Sequence, residues 1–115
     1  MTQKNYLIKE CLELNRQLIE LGLAFQTFGN LSLRLDKEHF TIKPSGIDLK
    51  KVSSNDFPVV RIKDLKIVDG KLKPSSDTPT HLVLYREFER IGSIVHTHSL
   101  YATAWAQSGK PIPCL

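Results

Sequence analysis

Leu31, Leu33 and Leu35 alternate with Ser32 and Arg34. Residues two apart share one face of a strand, so this run predicts a β-strand with one buried face. Asp36-Lys37-Glu38 turns the chain, and Phe40 and Ile42 predict the return strand. Before them, Leu7, Cys11, Leu14, Leu18 and Leu21 recur at spacings of four and three. That is one apolar stripe on a helix from Lys4 to Leu21, with Gly22 as its C-terminal cap. Val59, Val60 and Ile62 predict a third strand, and Ile67-Val68 a fourth that ends in the Asp69-Gly70 turn. Thr78-Pro79 reads as a helix start, with Thr78 as N-cap and Pro79 at the first helical position. That helix carries Leu82, Leu84, Tyr85 and Phe88 and is broken by Gly92. Ser93-Ile94-Val95-His96 predicts a short strand, and a last helix from about Ser99 carries Ala102, Trp105 and Ala106. The order predicts an α/β chain in which a largely antiparallel sheet is flanked by helices.

Composition narrows the function classes. A chain of 115 residues with 41% hydrophobic and 24% charged residues is globular, and is one domain or part of one. No apolar stretch approaches the roughly 18 residues of a membrane helix. Glu10, Glu13 and Glu20 interrupt the apolar core that a secretory signal needs, so a cytoplasmic protein is expected. The net charge of +4 is scattered, with Lys50-Lys51 the one adjacent basic pair. No basic stripe for nucleic acid is expected, only a solvated surface or long-range attraction of an anionic substrate. Cys11 lies on the helical apolar face and far from Cys114, so no disulfide is expected.

Four short segments could carry chemistry. His96 and His98 project from one face of a strand, close enough for two imidazoles to reach one divalent ion, or they are two surface histidines. Lys43-Pro44-Ser45-Gly46 follows a strand. Its hydroxyl, backbone and ammonium could hold a phosphate, or it is a polar turn. Ser75 and Ser76 precede a helix N-terminus, which favours anions, and Asp77 is an oxygen ligand or base. The competing reading is helix capping by Asp77 and Thr78. Gly29-Asn30 is by itself a turn signal.

The four segments discriminate by their order. Thr27-Phe28-Gly29-Asn30-Leu31-Ser32, Ile42-Lys43-Pro44-Ser45-Gly46, Lys73-Pro74-Ser75-Ser76-Asp77-Thr78-Pro79-Thr80-His81 and Ile94-Val95-His96-Thr97-His98-Ser99 together resemble the class II aldolase and adducin family. The resemblance extends through Ala104-Trp105-Ala106-Gln107 and Ile112-Pro113, so residues 1–115 correspond to the N-terminal part of a single family domain. It implies a three-layer α-β-α fold, incomplete in this chain. It also implies that Gly29, Asn30, Lys43, Ser45, Gly46, Ser75 and Ser76 bind a phosphorylated sugar. His96, His98 and Asp77 would serve a divalent metal, usually zinc. Asp77, where the family's aldolases tend to carry glutamate, points together with Thr80-His81 and His96-Thr97-His98 to its epimerases. These invert C4 of L-ribulose 5-phosphate to give D-xylulose 5-phosphate, by breaking and remaking the C3–C4 bond. The resemblance puts the family's third metal histidine, and its acid/base aspartate and tyrosine, beyond Leu115. No catalytic acid or base is therefore assigned, and the 115 residues alone are expected to be inactive. A homotetramer is implied for the full-length form. The alternatives are a sugar-phosphate aldolase or dehydratase, a non-catalytic adducin-like scaffold, or a truncated remnant.

Overall fold

The computed structural model describes residues 1–115. Helix α1 spans Gln3–Glu20 and is capped at its start by Thr2, whose hydroxyl accepts from the Asn5 N–H at 3.1 Å. It ends at Leu21 in a left-handed turn. Gly22 has φ of +71°, its N–H donates to the Ile19 carbonyl, and the Leu23 N–H reaches back to Leu18. Five strands follow: β1 Asn30–Arg34, β2 His39–Ile42, β3 Val59–Arg61, β4 Ile67–Asp69 and β5 Ser93–His96. Single 3-10 turns at Leu49–Lys51 and Ser54–Asp56 lead into β3. Helix α2 spans Thr78–Glu87 and α3 spans Leu100–Ser108.

All neighbouring strands are antiparallel, in the order β4-β3-β2-β1-β5. The hairpins of β1–β2 and β3–β4 join sequence neighbours. The chain then crosses through α2 and lays β5 on the free edge of β1. This gives the three-layer α/β arrangement the sequence predicts. On one side, Leu31, Leu33 and Leu35 pack with Ile8, Cys11, Leu12 and Leu18 of α1 and with Leu49, Val52, Phe57 and Val59. On the other, Phe40, Ile42, Val60 and Ile62 pack with Leu82 and Tyr85 of α2. Each fully buried Leu, Ile, Val or Phe there contributes about 1.5–3 kcal/mol. No helix is long and apolar enough to cross a membrane.

Several expectations are corrected. The buried face of α1 is Ile8, Cys11, Leu12, Asn15 and Leu18, whereas Leu7 and Leu14 sit at its border and Leu21 is 71% exposed. Leu21 is the helix's capping residue, where the chain already turns away from the sheet. Thr78 is the first helical residue, not the N-cap. Asp77 holds the cap position, but its side chain caps nothing because it is committed elsewhere. Phe88 lies beyond the last turn of α2 and is exposed. Helix α3 buries no residue. The largest correction concerns β1. Its polar face is buried under α2, with Asn30 and Ser32 inaccessible alongside the leucines. A strand between two helical layers has no solvent side, so its polar residues must find partners inside.

Candidate active site

Two straps bring the serine motifs together. Residues 43–45 leave β2 and run antiparallel to 73–75. The Ser45 N–H donates to the Lys73 carbonyl at 2.8 Å and the Ser75 N–H to the Lys43 carbonyl at 2.9 Å. Ser45 and Ser75 are thereby held on neighbouring segments. The Ser75 hydroxyl accepts from the Asp77 N–H at 3.2 Å, which leaves its own hydrogen free for an acceptor. Helix α2 begins just beyond, at Thr78, whose N–H donates to the Ser75 carbonyl at 3.1 Å.

A second wall is the turn before β1. Phe25 and Phe28 pair through their backbones, and Gly29 follows at φ of +88°. A Cβ on Gly29 would stand 2.9 Å from the Ala24 Cβ and 3.2 Å from the His96 carbonyl. Glycine is required by conformation and by space. Lys43 reaches under this turn and donates to the Thr27 and Gly29 carbonyls, both at 3.1 Å. Burial lowers its pKa, against the opposing pull of Asp77. Two of the three ammonium hydrogens are thus spoken for, and the charge remains beside the cleft. Gly29→Ala is expected to cost about 1–3 kcal/mol of stability in urea unfolding, because either the turn or the His96 carbonyl must move.

The third wall is the end of β5 and the segment after it: the strand stops at His96, so His98 lies beyond it rather than on a shared strand face. The register of β5 sets His96 opposite Asn30, so the two side chains share the α2 face. The His96 and His98 rings are 4.8 Å apart, and His98 lies 5.5 Å from the Phe28 ring. Gly29, Lys43, Ser45, Gly46, Ser75, Ser76, Asp77, His96 and His98 all line one cleft of about 480 Å³. Asn30 alone of the predicted site residues lies beneath it, 2% exposed. The Asn30 Nδ2 donates to Asp77 Oδ2 at 2.7 Å, and His96 Nδ1 meets the same oxygen at 3.0 Å. Asn30 hydrogen bonding, followed by the charge and contact of His96, keeps the Asp77 carboxyl below its ordinary range despite partial burial. Asp77, His96 and His98 do not form a group of three metal-binding side chains. The pair of imidazoles is what the chain supplies, with Asp77 against the Nδ1 side of His96.

Beneath Asn30 the contacts continue inward. His81 Nε2 lies 2.6 Å from Asn30 Oδ1, His81 Nδ1 lies 2.7 Å from Ser32 Oγ, and Ser32 Oγ lies 2.8 Å from the Tyr85 hydroxyl. Sequence alone assigns no role to Ser32, His81 or Tyr85. A signal existed: Thr78, His81, Leu82 and Tyr85 follow the i, i+3, i+4, i+7 spacing of one helical face, and this is the buried face of α2. A histidine inside that stripe requires partners.

Burial holds the His81 pKa down at about 4, against 6.5 ordinarily. As pH falls, the unfolded chain therefore takes up this proton before the folded one does. The stability His81 contributes is fully present above pH 6.5 and is lost as pH falls from 6.5 to about 4. Urea unfolding is expected to show a loss of about 3 kcal/mol across that window. His81→Gln, which cannot titrate, should flatten it.

The Class II Aldolase and Adducin N-terminal domain matches residues 9–115. The chain is 43% identical to the probable L-ribulose-5-phosphate 4-epimerase UlaF of Mycoplasma pneumoniae, over all of this chain and 49% of that protein. Among solved structures it is similar to an L-fuculose 1-phosphate aldolase, with a TM-score of 0.82 and 34% identity over 93% of this chain and 50% of the other. YgbL of Escherichia coli superposes with a TM-score of 0.80 at 30% identity, over 91% and 50% of the two chains. The chain spans about half the length of these relatives. With residues 9–115 matched to that domain and the sheet and helices shared, the chain belongs to the class II aldolase and adducin family.

Proposed function

We propose that the intact protein inverts C4 of L-ribulose 5-phosphate to give D-xylulose 5-phosphate, and that this chain supplies its phosphate pocket and part of its metal site. The observation that carries the reading is one cleft joining serine hydroxyls and a lysine ammonium to a pair of imidazoles. The first set suits a phosphate and the second a divalent ion. Identity to a protein named as an epimerase supports the choice of reaction.

The donor chemistry fits zinc or a similar ion. With Nδ1 of His96 turned to Asp77, Nε2 keeps a free lone pair, as in carboxylate–histidine–metal arrangements. His96 and His98 would hold the ion, and Asp77 would stand beside it, orienting His96 with Oδ2 and keeping Oδ1 for a further contact. When bound, the ion supplies Lewis acidity for breaking and remaking the C3–C4 bond. The chain's own work is positional. Ser45, Gly46, Ser75 and Ser76 hold the phosphate while the cleaved aldehyde fragment presents its other face. Gly29 and Asn30 close the floor of the pocket, and Lys43 adds positive charge. The full-length form would act as a homotetramer.

A second reading is a sugar-phosphate aldolase, supported by the structural likeness to an L-fuculose 1-phosphate aldolase. Incubating protein that contains this chain with L-ribulose 5-phosphate and, separately, with L-fuculose 1-phosphate decides between them. D-xylulose 5-phosphate from the first supports the epimerase. Cleavage of the second with no epimerisation of the first refutes it. Ser75→Ala is expected to weaken sugar-phosphate binding by about 1–3 kcal/mol, read as a raised Kd in calorimetry.

A further inference from the structure

We infer that His81 is a positioning residue: held as its Nε2–H tautomer by Ser32 and Tyr85, it locks the Asn30 amide in the orientation that presents Nδ2–H to Asp77. The proton positions follow from one end of the chain. An ionised carboxylate only accepts, so the Asn30 group at 2.7 Å from Asp77 Oδ2 is Nδ2. Oδ1 then faces His81 Nε2 at 2.6 Å and, being an amide oxygen, only accepts. His81 must therefore carry its hydrogen on Nε2. In the neutral ring Nδ1 is an acceptor, so the Ser32 hydroxyl donates to it at 2.7 Å. The Ser32 oxygen is left to accept, and the Tyr85 hydroxyl donates to it at 2.8 Å. Every hydrogen bond points toward Asp77.

The interior enforces that polarity. Ser32, His81, Asn30 and Tyr85 are all at most 2% exposed. No buried side-chain nitrogen or oxygen of the chain lacks a partner. Burial holds His81 neutral and pushes the Tyr85 hydroxyl up to about 12, so both keep the protons this scheme gives them. Arg34 anchors the inner end. Its guanidinium lies 4.7 Å over the Tyr85 ring and donates to the Tyr85 carbonyl at 2.8 Å. Turning the Asn30 amide over would set Oδ1 against the Asp77 carboxylate and Nδ2 against the His81 N–H. It could be relieved only by reversing every bond and protonating Asp77. Because Asp77 Oδ2 also meets His96, the position of that imidazole is set from inside the fold. What the relay serves rests on the reading of Asp77 and His96 as site residues proposed above. His81 acts through Asn30 and does not line the cleft of the serines and histidines.

Long-range proton–nitrogen NMR on the metal-free 115-residue chain at pH 7.5 tests the inference. The expected result is a His81 ring protonated at Nε2 only, with Asn30 side-chain amide protons protected from exchange. His81→Gln keeps an N–H donor near the Nε2 position and is expected to preserve that protection. His81→Leu is expected to lose it. In parallel, zinc affinity should fall by about 10–100-fold in His81→Leu and by less than about tenfold in His81→Gln. A ring protonated at Nδ1, or unchanged Asn30 protection and zinc affinity in a folded His81→Leu, overturns the inference. If His81→Leu does not fold, the wild-type tautomer decides alone. If the tautomer and Asn30 pattern hold while wild type takes up no zinc, the metal reading of His96 and His98 falls and the positioning role stands.

Discussion

His96→Asn is expected to abolish zinc binding by the chain at concentrations that saturate the wild type. The cleft offers two imidazoles, and removing one leaves a single ligand. Loss of an outer partner alone costs about 10–100-fold in metal affinity, so loss of a ligand should exceed the upper figure. Asparagine is chosen because its amide N–H can replace the Nδ1 contact to Asp77, so the hydrogen bond survives while the Nε2 lone pair is gone. His96 is also only partly buried, and stability should change by less than about 1 kcal/mol. Calorimetric titration with zinc, run beside urea unfolding, separates the two effects. Wild-type affinity in His96→Asn would remove His96 from the metal site.

The largest stability effect is expected at Asn15. This residue sits on the inner face of α1, 2% exposed, and grips β1 by its backbone. Its Oδ1 accepts from the Leu31 N–H at 2.8 Å, and its Nδ2 donates to the Leu31 carbonyl at 3.0 Å and to the Cys11 carbonyl at 2.8 Å. Asn15→Leu keeps the size and removes the bonds. The Leu31 N–H is then buried without a partner, and the carbonyl retains only a long contact from the Lys43 N–H at 3.4 Å and the weak Cys11 thiol. An orphaned buried group costs about 1–3 kcal/mol, so a total of about 2–4 kcal/mol is expected in urea unfolding. Leu31 adjoins Asn30, so the site should loosen too. A cost below about 1 kcal/mol would mean that Asn15 does not hold the strand.

Asn15 also shows where sequence reading stops. The alternation of leucines in β1, the hairpin turn at Asp36-Lys37-Glu38 and the helical stripes gave the element types and the antiparallel pairing, because these rest on local periodicity. Grouping of the predicted cleft residues was legible through the order of motifs, and the strands and straps deliver nearly all of them to one cleft. What local pattern cannot show is that two helical layers enclose β1. From alternation alone Ser32 and Arg34 belong outside, and Asn15 and His81 read as stray polar residues on helices. Tertiary packing gives them partners on the two faces of β1: Asn15 bonds the Leu31 backbone on the α1 side, and Ser32, His81 and Arg34 find theirs on the α2 side. The same cause explains Asp77. Locally it is a helix cap, but β1 and β5 present Asn30 and His96 to its carboxylate, and those contacts take the side chain away from the helix end.

The most direct test of the account is a residue-resolved NMR titration of the isotope-labelled chain with L-ribulose 5-phosphate, with and without zinc. If the cleft is a sugar-phosphate and metal pocket, the sugar phosphate should shift Gly29, Ser45, Gly46, Ser75 and Ser76, and zinc should shift the His96 and His98 rings. Saturable shifts confined instead to the cleft beside Arg34 and Arg86, or no saturable shift at all, would contradict it.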